Sequence, residues 1–311
     1  MTNKTALIID GHDHLHRAFY AFPDTLTDTD GNPINSVYGF TSILLSSINS
    51  LNPDYIFVAF DISTKDLERT KKFPEYKGTR VKMEPEIRES FVFQEKEVKN
   101  LLKLLNIPVI TKFGYEADDV IGTFSKIYDK EFIKTYIQTN DRDMFQLITP
   151  NVSVRTPAGR FRREKDWTKQ DFVKEYEFNP DQLIYYKALR GDSSDNIPGV
   201  YGVGDKTARI LVKEYETLDG IYDNIDNVTP ESLKNKLIKN KDNAYLSLEL
   251  ATIQTEINLD FTLKDTLWNN EFTTEFVDKI KEYNFKSLIR KYFETETFSE
   301  KPSNDSQLSL I

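Results

Sequence analysis

Three short, mostly apolar runs recur along the first half of the chain, ALIID up to Asp10, YIFVAF (55–60) and IPVIT (107–111), and a short β-rich run, Thr135–Thr139, follows them. Runs of this length with no alternation predict strands buried on both faces. Between them the apolar spacing changes to three and four. The stretch after Gly11, HDHLHRAFYAF, sets Leu15, Phe19 and Phe22 on one side and Arg17 on another. VYGFTSILLSSINSL predicts a helix capped by Ser36 and broken at Pro53. PEIRESFVFQEKEVKNLLKLL (85–105) predicts a long amphipathic helix opened by Pro85, and Val120–Ile127 a further one. The order β–α–α–β–α–β–α–β predicts an α/β fold, a parallel sheet covered by helices. Beyond it, a small β hairpin is expected over 152–163, turning at Pro157-Ala158-Gly159 and carrying Arg155, Arg160, Arg162 and Arg163. Helices follow from Thr168 and Pro180, and short helices continue to about Tyr292. The tail after that has a disordered composition.

The predicted strand ends carry the chemistry. The first run ends in Asp10 and the second in Asp61; GYEADDV (114–120) and TNDRDMF (139–145) add Glu116, Asp118, Asp119, Asp141 and Asp143. Asp192 and Asp195 precede a glycine-rich stretch. Open α/β sheets bind their ligands outside the carboxyl ends of the strands. Any one of these acids alone is as readily a helix cap or a turn residue. Nine like charges from five segments repel one another, and a hard divalent cation, Mg²⁺ or Mn²⁺, is the usual reason to gather them. Such a set serves phosphoryl transfer with two metals, one to activate the attacking water and one to stabilise the leaving oxygen.

The totals bound this reading. The chain of 311 residues has 39% hydrophobic residues and can bury a large core. It has no cysteine, which excludes disulfides, thiolate metal sites and cysteine nucleophiles and fits a cytoplasmic protein. No run is long enough for a membrane span, and MTNKTALIID is no secretory leader. The net charge of −9 speaks against a nucleic-acid partner at first sight. Setting the nine candidate metal acids aside leaves 41 acidic side chains against 41 basic ones, a balance compatible with DNA.

Three further stretches bear on the partner. Gly199, Gly202 and Gly204 precede Asp205, Lys206 and Thr207 without the P-loop spacing and without a preceding strand. They fit a helix–loop–helix element whose backbone N–H groups and following helix N-terminus meet a DNA phosphate; a plain connecting turn is the bland alternative. Residues 62–84 hold Lys65, Arg69, Lys71, Lys72, Lys77, Arg80 and Lys82 and few aliphatics, and predict an exposed, mobile insertion. Phe73, Pro74 and Tyr76 interleave with these cations, a pattern suited to single-stranded DNA. His12, His14 and His16 do not share one helical face and read as local structure.

IIDGHDHLHRAFYAF, VYGF, FD (60–61), YKGTR (76–80), GYEADDV, TNDRDMFQL and GDSSDNIPGVYGVGDKTA together resemble the 5′-nuclease domain of bacterial DNA polymerase I and the wider flap endonuclease family of 5′–3′ exonucleases, over about residues 5–292. The resemblance implies a PIN-like nuclease domain (1–167) with a helical arch at about 62–90. It implies a helical DNA-binding region (168–292) with a helix–hairpin–helix-type element at 190–212. By motif position it implies that Asp10, Asp61, Glu116, Asp118, Asp119, Asp141, Asp143, Asp192 and Asp195 bind metal. Lys77 and Arg80 would steer the scissile phosphate, with Arg17 beside it, and the glycine-rich element would grip duplex DNA and a K⁺ ion. Lys65-Asp66 stands where Ala-Pro is common, about one residue longer than the usual pattern. The expected activity is 5′–3′ exonucleolytic and 5′-flap cleavage of DNA and RNA-primed DNA in replication and repair, by a free-standing nuclease. The last residues, Gln307, Leu308, Ser309, Leu310 and Ile311, resemble the bacterial sliding-clamp-binding pentapeptide with Ile for the usual Phe, and imply the clamp as a partner alongside DNA polymerase I. Two other classes remain: a structure-specific DNA-binding protein without catalysis, which would lack several acids, and a PIN-type endoribonuclease, which would lack the glycine-rich element.

Overall fold

The structure is a computed structural model and describes residues 4–158 and 163–294. Strand β1 (Thr5–Asp10) runs straight into helix α1 (Gly11–Ala21). Then come α2 (Asn35–Leu51), β2 (Tyr55–Ala59), the short α3 (Glu68–Lys72), α4 (Pro85–Leu104), β3 (Val109–Ile110), α5 (Ala117–Lys130) and β4 (Lys134–Gln138). A 3₁₀ segment, Arg142–Leu147, leads to β5 (Val152–Thr156) and β6 (Lys165–Trp167). The sheet order is β3-β2-β1-β4-β5-β6, and only β5–β6 is antiparallel. The hairpin expected over 152–163 extends further, since its second strand is Lys165–Trp167, and its two strands are the last of the main sheet. Its residues Gly159, Arg160 and Arg162 lie outside the described residues, as do Gln307, Leu308, Leu310 and Ile311 of the tail.

Both faces of the central strands are buried, which is why their sequences do not alternate. Ala6 and Ile8 join Phe57, α5 and the interior of the following helices; Leu7 and Ile9 join Val58, α1, α2 and α4 on the other face. Those helices are α6 (Lys169–Tyr176), α7 (Leu183–Arg190), α8 (Asp205–Tyr215), α9 (Leu218–Asp223), α10 (Glu231–Lys239) and α11 (Lys241–Ala251). The chain then returns to the far face of the sheet, where α12 (Thr274–Glu282) and α13 (Lys286–Tyr292) pack against α2 and α4. The helical region therefore shares its core with the sheet on both sides.

Two local expectations change. Ser36 does not cap α2. The helix starts at Asn35, and the Ser36 hydroxyl is buried without a partner, because Gln94 from α4 accepts the Ser36 N–H at 2.7 Å and does the capping from a distance. Residues 62–84 are largely exposed, as expected, but their root is fastened. Leu67 and Tyr76 form a small separate core with Ile197, Leu250 and Ala251, and this core fastens the root of the segment to the helical region. The Lys77 N–H donates to the Asp195 carbonyl at 2.9 Å, and the Asn196 amide donates to the Glu75 carbonyl at 2.7 Å.

A candidate metal centre at the carboxyl ends of the strands

In the parallel register Asp10 faces Ala59, and Ile9 faces Gln138, so β1, β2 and β4 release their following residues at one edge. Asp10 accepts from the Asp13 N–H at 3.1 Å and from the Thr139 hydroxyl at 2.9 Å, which fixes both its oxygens at the start of α1. Asp61 accepts from the Ala117 N–H at 2.8 Å and so ties the end of β2 to the N-terminus of α5. Asp141 accepts from the Asp143 N–H at 2.8 Å as it opens the 3₁₀ segment. Asp10, Asp61, Asp118 and Asp141 line one cavity of about 460 Å³ together with His12, Asp13, His16, Arg17, Lys77, Arg80 and Asn140.

These carboxylates raise one another's proton affinity. Loss of water and the Asp13 and Asp61 charges push Asp10 up to about 6. Loss of water and Asp143 push Asp141 up to about 7. Asp118 is raised well above the usual range by the same loss of water and by Asp141 and Glu116. Hard oxygen donors that are costly to ionise side by side, facing one cavity, fit a divalent cation.

The remaining acids are held by the chain's own cations. Lys77 pairs with Glu116 and lies 3.9 Å from Asp195, and Arg80 bonds Asp195 at 2.7 Å. Lys187, buried in α7, bridges Asp143 and Asp192, the latter at 2.7 Å. Arg69 pairs with Asp119 at 2.7 Å and with Glu116 at 3.0 Å. Among the described residues no three carboxylate or histidine groups are drawn to ligating distance of a common point. Asp119 does not face the cavity, and all its accepting positions are taken.

Arg17 lies beside the cavity with its guanidinium on the Asn140 side chain. Tyr76, expected to offer a ring to a base, is 3% exposed and donates its hydroxyl to Glu116 at 2.9 Å; no ring face is free. The histidines divide: His14 is buried between the Asp10 carbonyl and Gln138, whereas His12 and His16 reach the cavity wall. Arg69, Lys187 and Asp13 were not singled out from sequence. Lys187 carried a signal, since it is the lysine within the largely apolar run LIYYKAL.

Away from the cavity, the glycine-rich loop turns tightly. Gly199 and Gly202 take φ of +64° and +78°, and Gly204 forms the N-cap of α8 with open space beside it. Tyr201, Gly202, Gly204 and Lys206 are exposed, and Thr207 is half-buried. Asp205 is turned back onto Tyr186 and Arg209, which leaves the loop amides clear of its charge.

The model of the 5′-3′ exonuclease N-terminal, resolvase-like domain matches residues 5–177, and that of the 5′-3′ exonuclease C-terminal SAM fold matches 178–274. The chain belongs to the 5′-3′ exonuclease family. As a family member it is 37% identical over 290 residues to DNA polymerase I of Caldicellulosiruptor bescii, covering 92% of this chain and 33% of that one. It is 34% identical over 307 residues to DNA polymerase I of Bacillus subtilis, covering 99% and 34%. The chain thus spans about a third of the length of these relatives. Two structures share the exonuclease fold. The T5 D15 protein co-crystallised with metal ions has a TM-score of 0.69 at 22% identity, covering 94% of this chain and all of that one. The catalytic core of Rad2 in complex with DNA has a TM-score of 0.59 at 15% identity, covering 94% and 88%. Both share the mostly parallel sheet followed by helices.

Proposed function

We propose that this chain is a divalent-metal-dependent nuclease that removes nucleotides from 5′ ends and cuts 5′ flaps in DNA. The observation that carries the reading is the convergence of Asp10, Asp61, Asp118 and Asp141 on one cavity whose other wall holds Arg17, Lys77 and Arg80. Family membership supports it, as do the metal ions bound by T5 5′-exonuclease and the DNA bound by Rad2. Asp10, Asp61, Asp118 and Asp141 would hold Mg²⁺ or Mn²⁺ from the cavity side. Glu116, Asp143, Asp192 and Asp195 become available once Lys77, Arg80 and Lys187 move off them. When bound, two such cations supply an activated water and stabilise the departing oxygen.

The chain's own residues do the rest. Lys77 and Arg80 sit on the segment over the cavity and swing from Glu116 and Asp195 to the non-bridging oxygens of the phosphate, where charge grows in the transition state. Arg17 holds the phosphate from the α1 side. A water oxygen bonds phosphorus, the P–O3′ bond breaks, and the products carry a 5′-phosphate and a 3′-hydroxyl. Duplex DNA rests on Gly199–Thr207, where exposed loop amides and Lys206 meet its backbone. RNA-primed DNA as a substrate, K⁺ at the glycine-rich loop, the clamp as a partner of Gln307–Ile311, collaboration with DNA polymerase I and a cytoplasmic location extend this reading.

The test is Mg²⁺-dependent cleavage of a labelled 5′-flap duplex, wild type beside Asp141→Asn. Junction cleavage by the wild type, with at least a hundredfold loss in the variant, is expected. Binding without cutting by both proteins in Mg²⁺ and in Mn²⁺ would replace the nuclease with a binding module.

A further inference from the structure

Asp119 is 0% exposed and its hydrogen bonding is closed. One oxygen accepts from Arg69 Nη2 at 2.7 Å and from the Gln254 N–H at 2.8 Å; the other accepts from Arg69 Nη1 at 2.7 Å and from the Glu116 N–H at 3.1 Å. A carboxylate offers about four accepting positions, so none is left for a cation. The same guanidinium reaches Glu116 at 3.0 Å and the Thr252 carbonyl at 2.8 Å. Gln254 follows Thr252 closely, and Gln146, two turns beyond Asp141, binds Ala251 and Ile253. One planar cation therefore joins the root of the segment over the cavity, the first turn of α5 and the end of α11.

We propose that Arg69 is the positioning residue of the metal-binding acids, with Asp119 as its anchor and not a metal ligand. Successive helical residues point about 100° apart, so gripping Asp119 on the buried side aims Asp118 into the cavity. The Arg69–Glu116 bond sets the adjacent carboxylate, whose other contacts are Tyr76 and Lys77. A bidentate guanidinium is needed: an ammonium cannot bond both Asp119 oxygens and Thr252 in the same plane. Outer partners that orient metal ligands are worth about 10- to 100-fold in metal affinity. This inference rests on the metal-dependent reading above.

Mn²⁺ binding to the full chain without DNA, followed by electron paramagnetic resonance, separates the two. Wild type is expected to bind and Asp141→Asn to bind at least tenfold more weakly; equal binding by these two would sink the metal-site reading itself. Given that difference, Arg69→Met and Asp119→Asn should each weaken Mn²⁺ about 10- to 100-fold. Their double variant should be no weaker than the worse single one within about threefold, since they remove one unit. Arg69→Lys, which keeps the charge and guards against loss of the fold, should fall between wild type and Arg69→Met while its urea midpoint stays near that of wild type. A folded Arg69→Met or Arg69→Lys with wild-type Mn²⁺ affinity would overturn the proposal. So would loss of a whole Mn²⁺ equivalent in Asp119→Asn alone, which would make Asp119 a ligand.

Discussion

Gly199 occupies the left-handed region at φ +64°, and a β-carbon on it would overlap the Gly191 amide. That neighbour is backbone and cannot turn aside. Gly199→Ala should therefore destabilise the protein by roughly 1–3 kcal/mol, measured as a lower urea midpoint. Gly204 differs: its φ is −100° and nothing crowds it, so the fold itself would accept a side chain there. Residues of this kind are legible by type alone. The residues that were not legible are those whose role depends on a distant partner. Arg69 is one cation among seven between 62 and 84, and only the fold brings Asp119 to it. Tyr76 looked like a stacking ring because its neighbours are charged, yet Glu116 and the small core around Ile197 claim it. Ser36 had the right chemistry for a cap, and Gln94 from another helix took that place.

The elements around Asp10 and Asp61 were legible because each strand is an apolar run that ends in a carboxylate, and those after Asp10 and Glu116 because a three-and-four spacing follows. β3 is only two residues long, and the joining of β5 and β6 to the main sheet leaves no such trace, since strand order is a long-range property. At the same scale, the glycine-rich loop and the start of α8 form one surface. Lys206 stands in the first turn of α8, exposed and beside the loop amides. Lys206→Gln should weaken binding to duplex DNA evenly across sequences and lower the slope of log affinity against log salt by about one, in a fluorescence anisotropy titration without divalent metal. Cleavage of the DNA that is bound should stay near the wild-type rate, because Lys206 lies outside the cavity lining.

For the whole molecule, the cavity acids contribute to how stability follows pH between about 4 and 7. Asp10 and Asp141 have folded values pushed up to about 6 and about 7, against an ordinary 3.8. Their contribution is fully present below about pH 4 and is lost as the pH rises through 6 to 7, because ionising them costs more in the fold than in the unfolded chain. The metal-free protein should accordingly lose urea resistance between pH 5 and pH 8 more than Asp141→Asn does. On the proposed reading Mg²⁺ would bind the ionised forms, so its stabilising effect should be larger at pH 8 than at pH 5.5, and chelation should reverse it. The net charge of −9 is not spread evenly over this balance. Lys77, Arg80 and Lys187 already pair with four of the acids proposed to bind metal. On the proposed reading, loading the cavity would exchange one set of counter-ions for another, and the affinity a titration reads would be the difference between two ionic partnerships. Two of the cations that would be set free, Lys77 and Arg80, line the cavity, so on the proposed reading the protein would release its grip on itself in the same step that it arms for the substrate.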